Sequence, residues 1–472
     1  MSEKVDLLSI DRGTVTAPAG CGKTHLILDA VRRHSESKPV LVLTYTNAGV
    51  AALRRRFTEY GVPSTSYRLS TLDGFAIRVV GTFPSRSGLN PKILMLENPR
   101  RDYAAIKHAV CRLLLNGHIN DVLAASYSRL IVDEYQDCCV RQHEFVSLMA
   151  SVLPTCVLGD PLQAVFSWIG LPAWKEDVCS AFPIAGELTT PWRWRNAGTE
   201  DLGQWLLHIR KKLIAGEPID FSDAPREVSW IDLATSDNCY QCQLSVASTR
   251  HAGKSCSTLI IGNGKYPEAQ RKFASRIPGA VTVENVNLDD LIDFAKRFDF
   301  SSPNALTLVL EFSKKVMRNI NIQHFLGRIN SLENGRARIQ ASDAEKAALS
   351  FKANQNPAAA VNLLVELNKG SDVSSHRPTV LRACIKALNT CSYTDDDSFL
   401  DAAIRAREQN RMLGRSLPQK AVGSTLLLKG LEADVAVILD AADHDINSLY
   451  VAMTRGSKKL VICSHSSMWT PR

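Results

Sequence analysis

A glycine-rich segment near the start of the sequence carries residue types that bind phosphate. Gly20 and Gly22 allow backbone N–H groups to turn toward phosphate oxygens, and the amine of Lys23 can reach the outer phosphates of a nucleotide. The next hydroxyl, that of Thr24, is of the type that binds Mg²⁺. Ala17 replaces the first glycine of the common pattern. We expect the nucleotide to be lined by Ala17, Ala19, Gly20, Cys21, Gly22, Lys23, Thr24 and His25.

The residues on either side of this segment fit a strand, a loop and a helix. A β-rich piece at residues 14–16 precedes the segment, and apolar residues at 26, 27, 30 and 31 form one face of a following helix. A P-loop requires this context, because the N-terminus of the helix adds its dipole to phosphate binding. The alternative is an accidental glycine-rich turn, which the next motif makes a poor explanation.

Two adjacent carboxylates follow a short apolar strand at residues 130–132. They begin the sequence Asp133-Glu134-Tyr135-Gln136-Asp137. Asp133 can hold Mg²⁺, directly or through water, and Glu134 can orient and deprotonate an attacking water. A strand that ends in a polar loop would explain the two acids alone. Together with the P-loop, the motif predicts hydrolysis of a nucleoside triphosphate.

The two motifs together resemble those of the UvrD/Rep-like superfamily 1 DNA helicases. Further segments resemble the other motifs of that family in the family's order, and the set spans almost the whole chain. They are Val40–Ala48 for motif Ia, Ser70–Phe75 for motif Ib, Val157–Trp168 for motif III, Leu188–Arg193 for motif IV, Thr425–Glu432 for motif V and Leu449–Gly456 for motif VI.

The resemblance implies ATP and Mg²⁺ as cofactors, with the nucleotide in a cleft between two RecA-like domains. Gln163 would sense the γ-phosphate, and Arg193 and Arg455 would bring positive charge to the transition state. Trp192 would stack on adenine, and Glu432 would contact the nucleotide. With Lys23 and Glu134, these groups complete the predicted catalytic site.

The sequence departs from the family pattern in three places. The first glutamine of the chain is Gln136, so the glutamine that reads adenine before the P-loop is missing. Motif IV reads Pro191-Trp192-Arg193 in place of Asn-Tyr-Arg, and Arg195 is an alternative to Arg193 for its cationic role. Motif V has Leu426 where the family has histidine.

Aromatic residues suggest how single-stranded DNA would be bound. Binding without sequence preference needs aromatic platforms and charge along the backbone. Tyr45, Phe166 and Trp168 match the family's base-stacking positions, although Phe166 alone could be a core residue. The same resemblance assigns phosphate or sugar contacts to Thr46, Asn47 and Thr71.

The expected fold class is α/β, with two RecA-like parallel-sheet P-loop domains and reduced, mainly helical inserted subdomains. Apolar runs at 40–44, 130–132 and 156–158 predict strands of the first domain, and runs at 258–261, 435–439 and 460–463 predict strands of the second. The expected limits are 1–80 and 126–188 for the first domain, 81–125 for its insert, 189–265 and 375–472 for the second domain, and 266–374 for its insert.

Composition and charge allow a nucleic-acid partner without establishing one. The chain has 472 residues, and its 56 Lys and Arg against 48 Asp and Glu give a net charge of +8. Short basic runs such as Arg210-Lys211-Lys212 are interpreted as solvated helix faces.

Other features of the sequence favour a cytoplasmic protein with free thiols. We expect no membrane span and no signal peptide, and we expect the 12 cysteines to be unpaired. The run Asp395-Asp396-Asp397 is expected to favour a helix N-terminus, because acidic residues there complement the helix dipole.

Three functions are compatible with these residues. The first is an ATP-dependent DNA translocase or helicase, stimulated by single-stranded DNA and moving 3′ to 5′ by family resemblance. The second is a DNA-activated ATPase that senses or regulates beside a nuclease subunit, as in the Gabija anti-phage system, whose helicase-like subunit has nearly this size. The third is a DNA-binding scaffold without ATPase activity, which the intact Lys23, Asp133 and Glu134 argue against.

Overall fold

The computed structural model describes residues 5–96, 98–249, 256–393, 398–412 and 418–471. The acidic run Asp395-Asp396-Asp397 lies outside the described residues. The described strands are β1 Arg12–Thr16, β2 Val40–Thr44, β3 Tyr67–Thr71, β4 Leu130–Val132, β5 Thr155–Gly159, β6 Ile184–Glu187, β7 Ile219–Asp220, β8 Val228–Asp232, β9 Thr258–Gly262, β10 Ala280–Thr282, β11 Lys420–Ser424, β12 Ala433–Ile438, β13 Gly456–Ser464 and β14 Met468–Trp469.

Helices connect these strands along most of the chain. They are α1 Lys23–Arg33, α2 Asn47–Glu59, α3 Leu72–Thr82, α4 Pro84–Ser87, α5 Pro99–Leu115, α6 Asn120–Ser126, α7 Val140–Met149, α8 Cys179–Ala181, α9 Trp192–Ala197, α10 Glu200–Ala215, α11 Cys239–Ser248, α12 Pro267–Arg276, α13 Asp289–Arg297, α14 Ala305–Val316, α15 Ile322–Glu333, α16 Asp343–Asn354, α17 Pro357–Asn368, α18 Pro378–Tyr393, α19 Phe399–Met412, α20 Thr425–Leu428 and α21 Ile446–Met453. Across the described ranges, no helix combines the length and apolarity needed to cross a membrane.

The described strands form two six-stranded sheets, both mostly parallel, and one two-stranded sheet. The first sheet has the order β3-β2-β4-β5-β1-β6, and each neighbouring pair in it is parallel. The predicted α/β class with two parallel sheets is therefore confirmed. Strand β5 lies between β1, which leads into the P-loop, and β4, which leads into the acidic motif. The carboxyl ends of these three strands consequently meet at one edge of the sheet.

Strand β2 shows why the first sheet is buried on both faces. All five of its residues are buried, as expected for a central strand of a parallel sheet. Successive side chains of a strand point to opposite faces. Leu41 and Leu43 pack in a core with apolar residues of α3, α5 and α7, while Val40 and Val42 pack in a second core with α1 and α2. Helices therefore cover both sides of the sheet and hold the strand ends in place.

The chain divides into two compact units. The first contains Met1–Ile231 and His444–Arg472, and the second contains Asp232–Asp443. Within the second unit, β10, β11, β9 and β12 are parallel neighbours in that order. Its largest apolar core joins residues of α13 to α19, from Leu288 to Ala406.

These units differ from the limits expected for the RecA-like domains. Motif IV and motif VI residues, including Arg193 and Arg455, belong to the same unit as the P-loop. Helices α4, α5 and α6 account for most of the described residues of the first insert, as expected, but the helical core of the second unit continues past the expected limit at 374. The strand β10 also lies within the segment expected to be mainly helical. The division into RecA-like domains with these limits stays a prediction.

Candidate active site

The P-loop is a tight turn between β1 and α1. Gly20 and Gly22 have φ angles of 70° and 90°, in the left-handed region that favours glycine. The N–H of Ala17 donates to the carbonyl of Gly159 at 2.9 Å, which ties the loop to the end of β5. Helix α1 begins at Lys23, and no described side chain caps it. The loop and the helix N-terminus together provide backbone N–H groups of the kind that bind phosphate.

Lys23 contacts both carboxylates of the acidic motif. Its Nζ lies 2.6 Å from Oε1 of Glu134 and 3.1 Å from Oδ1 of Asp133. Burial opposes the charge of Lys23, but the two neighbouring carboxylates outweigh this and raise its pKa above the usual value. Burial also raises the pKa of Asp133, with Lys23 acting in the opposite direction. The structure thus brings together the three groups predicted to bind phosphate, bind Mg²⁺ and activate water.

Glu134 has an unusual backbone conformation. Its φ is 55°, in the left-handed region that residues other than glycine rarely adopt. Such a conformation costs on the order of 1–3 kcal/mol and is found where the surrounding structure fixes it, often at functional sites. Oε2 of Glu134 accepts a hydrogen bond of 2.6 Å from Nε2 of Gln136. Both carboxylate oxygens of the predicted base are therefore held.

Gln163, the predicted γ-phosphate sensor, is held by an acidic residue at the end of β5. Its Nε2 donates to Oδ2 of Asp160 at 3.1 Å. Asp160 is fully buried, and its other oxygen accepts from Nε and Nη2 of Arg210. The sequence interpretation of Arg210 as part of a solvated helix face is wrong, since the residue is only 5% exposed.

The sequence did contain a signal for the burial of Arg210. Arg210 follows Leu206 by four residues and precedes Leu213 by three, and both leucines are buried. This spacing places Arg210 on the apolar face of α10.

Helix α9 lies against the P-loop through two tryptophans. A Cβ placed on Gly22 would lie 3.0 Å from the ring of Trp192, and one on Gly20 would lie 2.5 Å from the ring of Trp194. Trp192 is 47% exposed, whereas Trp194 is buried and donates from Nε1 to the carbonyl of Gly456 at 2.9 Å. Trp192 is thus placed beside the phosphate loop. Trp194 was not predicted as a site residue and acts as the packing partner of the loop.

The arginines of motifs IV and VI meet at Thr454. Nη1 of Arg193 donates to the carbonyl of Thr454 at 2.5 Å, and Nη2 of Arg455 donates to its hydroxyl at 3.0 Å. Arg455 is buried and also donates from Nε to the carbonyl of Val451 at 2.9 Å. Arg195 instead forms an exposed ion pair with Glu200 at 2.7 Å. The backbone N–H of Arg193 also donates to the carbonyl of Gly20 at 3.0 Å, which places Arg193 beside the P-loop.

The remaining predicted nucleotide contacts differ in exposure. Ala17, Ala19 and Cys21 are buried, whereas His25 is exposed. Burial raises the pKa of the Cys21 thiol to about 12, so this thiol is protonated near neutral pH. Thr24 follows Lys23 in the first turn of α1 and is half-buried. Glu432 is exposed in the second unit, before β12, and its nucleotide contact stays a prediction.

The three aromatic residues predicted to stack on bases form one cluster in the first unit. The ring centroids of Tyr45 and Phe166 are 5.2 Å apart, and those of Phe166 and Trp168 are 5.6 Å apart. Trp168 is 66% exposed and Phe166 is half-buried. Phe166 is therefore not a fully buried core residue, and Trp168 offers an open ring face.

The predicted phosphate-contacting residues lie at two helix N-termini. The hydroxyl of Thr46 accepts from the N–H of Gly49 at 3.0 Å, and the hydroxyl of Thr71 accepts from the N–H of Gly74 at 2.9 Å. Both threonines thus cap helices, α2 and α3. Asn47 is the exposed first residue of α2. Strands β2 and β3 are parallel neighbours, so the two helix N-termini follow adjacent strand ends.

One family model matches part of this site. Residues 93–171 match the UvrD/REP helicase N-terminal domain. The matched stretch contains Asp133, Glu134, Asp160 and Gln163. In this region the chain is similar to superfamily 1 helicases. The resemblance predicted from the motifs is confirmed at that level.

No curated protein matches the chain. Among solved structures, the crystal structure of Pif1 helicase from Candida albicans aligns with 13% sequence identity and a TM-score of 0.32. The alignment covers 56% of this chain and 51% of the Pif1 chain, so it spans about half the length of that helicase.

Proposed function

We propose that this protein is an ATP-dependent DNA translocase or helicase of superfamily 1. The observation that carries the proposal is the contact of Lys23, next to two left-handed P-loop glycines, with both Asp133 and Glu134. A buried lysine between two carboxylates usually stabilises a fold no more than apolar residues of the same volume would, so stability alone does not explain this cluster. A role in nucleotide binding would explain the cluster. Lys23 would then bind phosphate oxygens, and Asp133 and Glu134 would be available to bind Mg²⁺ and to activate water.

The residues of the site fit ATP and Mg²⁺. Thr24 and Asp133 supply the hard oxygen ligands that Mg²⁺ prefers, and the cation neutralises phosphate charge when bound. Lys23 and the P-loop N–H groups hold the phosphates. Glu134 would accept the proton of an attacking water, and Gln163 would contact the γ-phosphate. Arg193 and Arg455 would supply positive charge as the phosphate bond breaks.

Single-stranded DNA is the proposed activator. Tyr45, Phe166 and Trp168 form an open aromatic cluster, and stacking on it requires exposed bases. The N-termini of α2 and α3 would attract backbone phosphates beside it. Translocation from 3′ to 5′ is proposed from the resemblance to UvrD/Rep-like helicases.

ATP hydrolysis by the purified protein tests this function. We expect single strands and frayed ends to stimulate the rate far more than intact circular duplex. Lys23→Ala should weaken nucleotide binding itself, because it removes the charge that faces the phosphates. Equal stimulation by single strands and circular duplex would contradict base stacking as the trigger. The absence of ATP hydrolysis under all these conditions would leave only a DNA-binding scaffold.

A DNA-activated ATPase with little unwinding is the second candidate. It is favoured by the small size of the segment between α3 and β4, in which α5 is the one long helix among the described residues. Such a protein would act as a sensor or regulator beside a nuclease subunit in anti-phage defence. A strand-separation assay distinguishes the candidates, because the sensor hydrolyses ATP on DNA without releasing a strand.

A further inference from the structure

Arg210 is a buried cation that no predicted step of catalysis uses. Its Nε and Nη2 lie 3.2 and 3.1 Å from the same oxygen of Asp160, and its Nη1 lies 3.0 Å from Oε1 of Glu187. Placing these charges inside a protein carries a desolvation cost, so the ion pair by itself is weak evidence of stabilisation. What it does provide is a fixed position for the Asp160 carboxylate.

Asp160 contacts two groups that lead to the proposed reaction centre. Its second carboxylate oxygen accepts from Gln163. Its N–H donates to Oε1 of Gln136 at 3.2 Å, and Nε2 of the same amide donates to Glu134 at 2.6 Å. Asp160 thus bonds directly to Gln163, the predicted γ-phosphate sensor, and is connected through Gln136 to Glu134, the predicted base.

The end of β5 allows little movement between these groups. A Cβ placed on Gly159 would lie 2.7 Å from Oε1 of Gln136 and 2.7 Å from the ring of Trp174. The backbone of β5 therefore touches Gln136 directly. A displacement of Asp160 would be transmitted to Gln136 and Gln163, since both bond to it.

We infer that Arg210 is a positioning residue for ATP hydrolysis, acting through Asp160 on Gln163 and, through Gln136, on Glu134. This inference rests on the proposed function. Arginine suits the task because its planar guanidinium fixes a carboxylate with two N–H groups, whereas lysine offers a point charge on a flexible chain. If neutralising Asp160 were sufficient, lysine would serve equally well.

The main test is Arg210→Lys, which keeps the positive charge and loses the planar pair of N–H groups that binds Asp160. We expect the DNA-stimulated kcat to fall about ten- to a hundredfold, the scale seen when catalytic groups are slightly misplaced, with KM for ATP changing less than about threefold. The matched control is Arg129→Lys. Arg129 is also buried in the first unit, but it donates to the carbonyl of Leu7 at 2.5 Å, away from the site. The control should change the melting temperature without changing kcat per folded molecule.

A double-mutant cycle separates positioning from general destabilisation. In Gln163→Ala and in Gln136→Ala backgrounds, adding Arg210→Lys should cost much less than it does in the wild type, because the groups act as one unit. Independent, additive losses would overturn the inference. So would a wild-type kcat in Arg210→Lys.

Glu187→Gln tests the same connection with little risk to folding, because Glu187 is largely exposed. Losing this partner of Arg210 should lower kcat about two- to fivefold, the size of one exposed ion pair, and should have no further effect in Arg210→Lys. An undiminished effect in that background would contradict the inference. If Glu134→Gln abolishes turnover but the Arg210 and Glu187 variants keep it, only this inference fails. A wild-type protein without ATPase activity would overturn the proposed function and this inference together.

Discussion

Both compact units place a basic side chain between two carboxylates, but the two clusters differ in how they are closed. In the first unit, Lys23 contacts Asp133 and Glu134 at the ends of two loops, and the side chain of Glu134 is 31% exposed. In the second unit, Arg377 is 2% exposed and binds Glu284 with two hydrogen bonds of 2.6 and 2.8 Å. The first cluster is partly exposed to solvent through Glu134, whereas Arg377 and Glu284 of the second are enclosed.

The aromatic residues show the same contrast. In the first unit, Phe166 contacts both Tyr45 and the exposed Trp168. In the second unit, Phe294 contacts Phe312 with ring centroids 4.5 Å apart, inside the main helical core. Residue type alone therefore does not separate a binding group from a structural one. The two kinds of residue differ in their exposure to solvent.

Glu134→Gln gives the largest effect and tests the open cluster. The amide keeps size and hydrogen bonding but cannot accept the proton of water, so kcat should fall about 10²- to 10⁴-fold, while ATP still binds. Stopped turnover with ATP retained on the protein, measured by equilibrium binding and a phosphate-release assay, is the expected result. Near-wild-type hydrolysis would remove Glu134 from the role of base.

Arg377→Met tests the closed cluster. It leaves the buried Glu284 without the two hydrogen bonds from Arg377, while Asp290 keeps Arg271 at 2.9 Å, so the free energy of unfolding should fall by about 3–5 kcal/mol. Denaturant titration measures the change. Arg382→Met on the same helix is the control, because Arg382 is exposed and donates only locally, to the carbonyl of Pro378. A loss below about 1 kcal/mol would show that the closed cluster is not structurally important.

Trp168→Ala tests the open aromatic cluster. DNA affinity should fall by about 1–3 kcal/mol, the contribution of one stacked base, while the DNA-independent ATPase rate is kept. Trp168→Phe should restore much of the affinity, since it keeps an aromatic face. If Trp168 is instead a packing residue, the alanine variant should melt at a lower temperature and bind DNA normally. Fluorescence anisotropy and thermal melting on one preparation decide between these results.

The lowered pKa of His376 should make the stability of the second unit depend on pH. Burial, with the nearby cations of Arg318 and Arg377, lowers the pKa of His376 to about 4, below the ordinary value of about 6.5. The folded state therefore binds fewer protons than the unfolded state between these values, and stability decreases as pH falls from 6.5 to 4. His376→Gln should remove about 1–3 kcal/mol of this dependence, whereas His324→Gln, at an exposed site, should not. Denaturant titrations at pH 7 and pH 5 measure the free energy of unfolding. The same decrease between these pH values in the wild type and in His376→Gln would refute the prediction.

Local patterns were sufficient to predict the central strands beside the P-loop and the acidic motif. The apolar runs at 40–44 and 130–132 coincide with β2 and β4, because central parallel strands are buried on both faces. The P-loop and the Asp133-Glu134 pair could be located for a similar reason, since each motif is contained in a few consecutive residues.

Long-range packing decided what the sequence left open. The spacing along α10 places Arg210 on the apolar face, but no local pattern identifies its partner Asp160, fifty residues earlier, or the contact of Arg193 with Thr454. No local pattern shows that Trp194 packs on Gly20, because the contact joins segments far apart in sequence. The limits of the compact units likewise follow from contacts between distant segments.

The two tryptophans beside the P-loop should make the intrinsic fluorescence of the protein sensitive to nucleotide binding. Trp194 is buried against Gly20, so its fluorescence should stay at short wavelength in every nucleotide state. Trp192 is half-exposed over Gly22, so its emission should shift or be quenched when a purine ring and phosphates replace water beside it. Because Arg195 also lies over the Trp192 ring, with 5.3 Å between its guanidinium carbon and the ring centroid, movement of α9 would change that emission too. Because the chain has seven tryptophans, the difference in intrinsic fluorescence between the wild type and Trp192→Phe isolates the signal that follows the phosphate loop, without any added label.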